Sequence, residues 1–312
     1  MFRPPMALHL PSLQTFKRNP MKRKFIHITF LAAASAIISL VSCDKIYPPY
    51  MNVTDVSDCS VPDFPADTHH VKTVLLEEFT GHKCINCPEA AFYIHQIKQD
   101  YGEKIITLAI HAGGYATPDE TGDYALDLTT DIGTDYNSHF SINSWPRAMF
   151  NRDTINNQRT FGNSSSWDGL IAQIINQPAK IFIQIINDYD NTNRKLCTHV
   201  KVTFLEDMDI NTKLVVLLAE DSISGFQKNN NTTYGAVPDI SNYIFNDVLR
   251  ESFNSAYGEN LTAGGVLQDS AIIKTYKKFL PSNYIDRHCK VIAYVYNSDT
   301  EEIIQTAERH VE

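Results

Sequence analysis

Basic side chains are scarce in this sequence: 27 lysines and arginines face 36 aspartates and glutamates, for a formal net charge of −9. Phosphate backbones and anionic head groups are held by basic patches, so nucleic-acid binding is excluded. Glycine and proline are also few, 13 and 14 in 312 residues, which excludes collagen-like and low-complexity architectures. The C-x-x-C pattern occurs once, so a zinc site built from two such pairs is absent. What is present is a globular composition, 43% hydrophobic and 20% charged, in a chain long enough for two domains.

The one long apolar run lies near the N-terminus. "MKRKFIHITFLAAASAIISLVSC" has a basic start (Lys22, Arg23, Lys24), an apolar middle and a small-residue end, which is the pattern of an export signal. Residues 1–42 are therefore assigned to a signal segment. Met21 is its expected start, because residues 1–20 read as neither signal nor domain. The run is short for a helix spanning a membrane, which needs about 20 apolar residues. It ends in "LVSC", which resembles a bacterial lipobox, so Cys43 is expected to carry a lipid and to become the mature N-terminus. Loss of residues 1–42 leaves 21 basic against 36 acidic side chains, a formal balance of −15. Residues 43–70, rich in proline and aspartate, read as a tether between lipid and folded body.

"VKTVLLEEF", Val71 to Phe79, reads as a buried strand. "CPEAAFYIHQIKQDYG" follows as a helix, with Ala90, Ala91, Ile94 and Ile97 at helical spacing and Gly102 as its stop. "KIITLAIH", Lys104 to His111, is a second strand. Strand, helix and strand with short joints imply parallel pairing. A helix within "ALDLTTDIGTDYNSHFSI", a hairpin from "PRAMFNRDTI" and a helix from "SSSWDGLIAQIINQP" complete the unit. The aspartates at 127, 131 and 135 share one face and read as solvated. From residue 179 the period falls to two, and "KIFIQIIND", "KLCTHVKVTFLE", "TKLVVLLAED", "AIIKTYKKFL", "CKVIAYVYN" and "EIIQTAERHV" read as strands of a small sandwich. Residues 222–270 form a long insertion within it. Its aromatics Phe226, Tyr234, Tyr243, Phe245, Phe253 and Tyr257 suit either partner binding or a cover over the sandwich.

The single C-x-x-C sets Cys84 at the mouth of the first helix, with its sulfur exposed, and Cys87 one turn inside, with its sulfur buried. Helix dipole and free N–H groups favour a thiolate at Cys84, and His82 and Lys83 push the same way, so Cys84 is the expected nucleophile and Cys87 the resolving thiol. Pro88 suits a helix start because its missing N–H would have had no partner. Of the remaining cysteines, Cys289 reads as a buried free thiol; the partners of Cys59 and Cys197 stay open. No metal or other cofactor is expected.

Strand, C-x-x-C and helix together resemble the thioredoxin family. That resemblance implies that Glu78, six residues before Cys84, handles the proton of Cys87. It also implies that Pro146, in "FSINSWPRAMFNRD", is a cis-proline facing the disulfide, with Trp145 presenting its backbone to a substrate chain beside His82 and Lys83. The chain departs from the family in having Lys83 before the first cysteine and Ile85-Asn86 between the two. The phrases "LLEEFTGHKCINCPEAA", "AIHAGG", "INSWPRAMFNR", "LAEDSISGFQKNN" and "FNDVLR" resemble the Omp28-like outer-membrane lipoproteins of Bacteroidetes, in which the last phrase often carries histidines where this chain has Phe245 and Asp247.

The expectation is thus an α/β thioredoxin-like domain over residues 71–178, followed by an all-β sandwich-like domain over 179–312 with its insertion at 222–270. The protein would be lipid-anchored at the outer membrane through Cys43. Two functional readings stand: thiol–disulfide exchange with protein thiols, or a receptor or adhesin in which Cys84–Cys87 is a structural staple.

Overall fold

The computed structural model describes residues 55–66 and 70–312. The expected signal and Cys43, the expected lipid-bearing residue, lie outside those residues. Thr54–Glu312 is one compact unit, and none of the described helices is long and apolar enough to cross a membrane.

The N-terminal strand β1 (Val74–Thr80) is buried along its whole length, and α1 (Cys87–Tyr101) follows it with Pro88 in its first turn. Strand β2 (Ile105–His111) returns parallel to β1, placing Glu78 opposite Ala109 and Thr80 opposite His111. Helix α2 (Asp131–His139) starts at Thr130, whose hydroxyl accepts the N–H of Gly133, a side-chain cap on an otherwise unpaired donor. Strand β3 (Arg147–Phe150) runs antiparallel to β1, and the short α3 (Trp167–Ile171) follows.

In the second half, β4 (Ile181–Asp190), β5 (Lys195–Phe204) and β11 (Ala271–Phe279) make a three-stranded sheet in the order β11-β5-β4. It packs on β6 (Thr212–Glu220) and β12 (Cys289–Asn297) through a core that includes Ile181, Val200, Phe204, Val216, Leu218 and Val291. The β-rich second half is as expected. Residues 222–270, by contrast, are not a loop. They fold as β7 (Ile223–Lys228), β8 (Asp239–Phe245), β9 (Val248–Ser252) and β10 (Glu259–Thr262), and none of the six aromatics above is exposed. Phe245 is buried and the other five are half-buried, a partial cover over the body.

The expected fold class is corrected by β9. This strand enters the main sheet between β2 and β6, so with β13 (Ile303–His310) the order runs β13-β12-β6-β9-β2-β1-β3, with β10 paired to β6. One mixed eight-stranded sheet therefore crosses the anticipated boundary at residue 178. A single core cluster joins Leu75, Phe79 and Leu108 from the first half to Leu217, Ile292 and Tyr294 from the second. Thirteen strands against three α-helices among the described residues make a β-rich body, not an α/β thioredoxin-like domain followed by a separate sandwich. The local reading failed globally because strand–helix–strand periodicity fixes neighbours in sequence, whereas the neighbour of Ala109 on the far side of β2 is Val248, far along the chain.

Candidate functional site

The loop between β1 and α1 turns tightly: the N–H of Cys84 donates to the Gly81 carbonyl at 2.9 Å and that of Cys87 to the Cys84 carbonyl at 3.3 Å. Gly81 is required there, since a Cβ would lie 2.5 Å from the Tyr115 carbonyl carbon. Cys84 and Cys87 are disulfide-bonded, with Cα atoms 5.4 Å apart. Trp145–Pro146 is cis, as expected. Pro146 immediately precedes β3, whose first residue Arg147 pairs with Phe79 of β1. The Trp145 ring packs edge-on to Tyr115 at 5.6 Å. Lys83 pairs with Asp119 at 2.7 Å near the surface, an ion pair worth little in solvent. His82 is 2% exposed, stacks on Tyr124 at 5.6 Å, and has no partner on either ring nitrogen. Burial, then the Lys83 charge, lowers its pKa.

The sequence expectation placed Cys84 open to solvent, yet Cys84 and Cys87 are each 2% exposed. The cover is the β7–β8 hairpin. Gln227 donates from its side chain to the Cys84 carbonyl at 2.9 Å, and the Lys228 N–H donates to the His82 carbonyl at 2.8 Å. Just beyond β7, Asn230 donates to the Asn86 side chain at 2.9 Å. Nothing in the spacing around the cysteines signals these contacts, which bridge more than 140 residues.

Beneath α1 lies a cavity of about 480 Å³. Its floor is built by strand alternation: Glu78 and Thr80 from β1, with Thr107 and His111 from β2. Ala91, Ile94 and Lys98 of α1 form one wall, and Tyr243, Phe245 and Asp247 the other. Cys87 lines this cavity; Cys84 does not. Glu78 is 6% exposed, and its Oε1 has no hydrogen-bond partner. Burial raises its pKa to about 8, with the Thr80 hydrogen bond opposing and the Asp247 charge adding. Glu78 is therefore mostly a neutral acid near pH 7. His111 is buried, unpartnered at both ring nitrogens, and packs edge-on to Phe245 at 5.4 Å. Burial first, then His82 and Arg250, hold its pKa down to about 3, so it is a neutral imidazole.

Asp247 is ionised. Burial opposes that, but the Lys290 and Lys98 charges and hydrogen bonds from Lys290 and Thr107 hold its pKa below the usual range. Among the described residues, no group of three or more His, Cys, Asp or Glu side chains is arranged to hold a metal ion. The C-x-x-C, Glu78 and Pro146 were legible in the sequence. Gln227, Tyr243, Lys98 and Asp247 were not, because each reaches the site by tertiary packing.

The second disulfide, Cys59–Cys197, joins the segment before β1 to β5, and Cys289 is free and buried.

No curated protein matches this chain. The fold is similar to that of HBP35 of Porphyromonas gingivalis, at a TM-score of 0.58 and 13% identity, over 78% of this chain and 76% of that one. A domain of the outer membrane lipoprotein Omp28 from Porphyromonas gingivalis is 19% identical over 43% of this chain and 89% of its own, with a TM-score of 0.29 that carries no structural argument. Residues 133–312, more than half of the sequence, match the family described as Outer membrane protein Omp28, and the chain belongs to that family of outer-membrane proteins.

Proposed function

We propose that this protein is a lipoprotein held at the membrane through Cys43, and that its Cys84–Cys87 pair exchanges disulfides with protein thiols. The observation that carries the redox reading is Glu78: a buried carboxyl with an unpartnered oxygen, in the same cavity as Cys87. A purely structural site gains nothing from such a group, since an unpaired buried polar atom costs about 1–3 kcal/mol. A resolving thiol needs a proton carrier within reach, and a carboxyl with a pKa of about 8 is matched to thiol chemistry near neutral pH. In this reading Cys84 attacks or is attacked, Cys87 resolves the mixed disulfide, and Glu78 carries the proton. The backbone at Trp145 and Pro146 holds the partner chain. The β7–β8 hairpin lifts to admit it.

A second reading is favoured by the 2% exposure of Cys84: a receptor or adhesin in which the disulfide only braces the helix start. Cys87→Ser separates the two. Exchange leaves partner proteins covalently trapped on Cys84, whereas a brace traps none, and its loss lowers stability by about 2 kcal/mol or more. Lipid attachment is tested in cells with a labelled lipid precursor; equal labelling of Cys43→Ser would refute it.

A further inference from the structure

We infer that the cavity beneath α1 is a port through which a low-molecular-weight thiol reaches the disulfide at Cys87 rather than at Cys84. The inference rests on the exchange reading above and names a second substrate class for it. The two sulfurs have different surroundings. Cys84 is roofed by the hairpin through Gln227 and Lys228, whereas Cys87 borders a space of about 480 Å³. The rim of that space carries the exposed His95, Gln99 and Asn246. Small-molecule sites span roughly 300–1,000 Å³, so the cavity takes a small thiol and excludes a folded partner. At its floor, Glu78 Oε1 and both ring nitrogens of His111 are buried without partners. Buried polar atoms are satisfied in the great majority of cases, by protein or by water, so these atoms are open to a ligand or water entering the cavity.

The step balances. A thiol RSH loses its proton to solvent, and the thiolate sulfur attacks Sγ of Cys87. The RS–Cys87 bond forms, the Cys84–Cys87 bond breaks, and the electron pair leaves on Cys84. A second thiolate attacks the bound RS sulfur, releasing RSSR. Cys87 departs as thiolate and takes the proton of the neutral Glu78 carboxyl, while the two protons given to solvent return to Glu78 and Cys84. Two thiols are oxidised and one protein disulfide is reduced. Cys84 is the better leaving group because it sits at the positive end of α1. A small thiol would thus reload the pair from the cavity side while Cys84 serves protein partners from the hairpin side.

The full chain tests this with bis(2-hydroxyethyl) disulfide, read by intact mass. The Cys84→Ser chain, with Cys87 free, is expected to gain the adduct at least about tenfold faster than the Cys87→Ser chain, with Cys84 free. An equal or faster reaction at Cys84, or no adduct on either chain, overturns the port. Because either substitution could disturb folding, the native disulfide is also reduced with 2-mercaptoethanol in the wild type and in Ala91→Trp, which fills the cavity while the melting temperature reports its fold. About a tenfold slowing in the filled variant supports the port, and an unchanged rate overturns it. Protein capture by Cys87→Ser is a separate readout. Its absence with Cys87 still labelled removes the protein-thiol reading alone; capture with labelling only at Cys84 removes the port alone.

Discussion

Glu77 and Glu78 are consecutive residues of β1, yet Glu77 makes a bidentate pair with the Arg152 guanidinium at 2.6 and 2.8 Å while Glu78 ends in an unpartnered oxygen. Alternation along the strand explains the split. Glu77 faces the core shared by both halves of the chain, where Arg152 is ringed by Tyr136, Phe140 and Tyr294 at about 5 Å. Glu78 faces α1 and the cavity. One carboxylate is fixed in an ion pair; its neighbour keeps an oxygen without a partner.

Glu77→Gln should cost about 3–5 kcal/mol, because it leaves the Arg152 charge buried and uncompensated. The double variant Glu77→Leu/Arg152→Met should recover most of that loss, since the two sites are coupled. Urea midpoints of the two variants and the wild type check this. A double variant no more stable than Glu77→Gln would show that the pair is not a unit.

Glu78 sets a pH dependence. Its pKa rises from 4.5 to about 8 on folding, so the folded state binds the proton more tightly than the unfolded chain does. The resulting stability is full below about pH 4.5 and is lost as the pH climbs toward about 8. Glu78→Gln should match the wild type near pH 5 and exceed it at pH 8. Denaturant titrations at both values measure the difference, and parallel curves would contradict it.

The Cys59–Cys197 bridge closes a sequence separation of 138 residues. Replacing both cysteines by serine should lower stability by about 4 kcal/mol, mainly by freeing the unfolded chain. A thermal melt of the double variant, with Cys84 and Cys87 intact, checks the magnitude.

Cys289 should be inert in the folded protein. Burial, with the Glu220 charge adding to it, pushes its thiol up to about 12, and only the thiolate reacts. Alkylation in native buffer should therefore proceed no faster than global unfolding. Rapid labelling without denaturant would argue against that environment.

The local features of the site were readable because they are written in adjacent residues. Pro88 marks the first turn of α1, and the parallel pairing of β1 with β2 follows from the short crossover between them. The long-range features were not. "VLRES" is a five-residue strand without alternation, so nothing in it announces a place beside β2. The partner of Cys59 depended on where the segment before β1 meets β5, which no spacing encodes. Exposure of Cys84 was misjudged for the same reason: its roof is assembled from Gln227 to Asn230.

The seam between β2 and β9 rests on one register pair, Ala109 with Val248, and on the Ala109 N–H donating to the Asp247 carbonyl at 2.7 Å. A ribosome delivers Ala109 long before Val248. Throughout that interval the nascent chain carries an apolar strand edge with nothing to close it, and such edges template aggregation. A fragment that stops anywhere before Val248 retains that liability permanently.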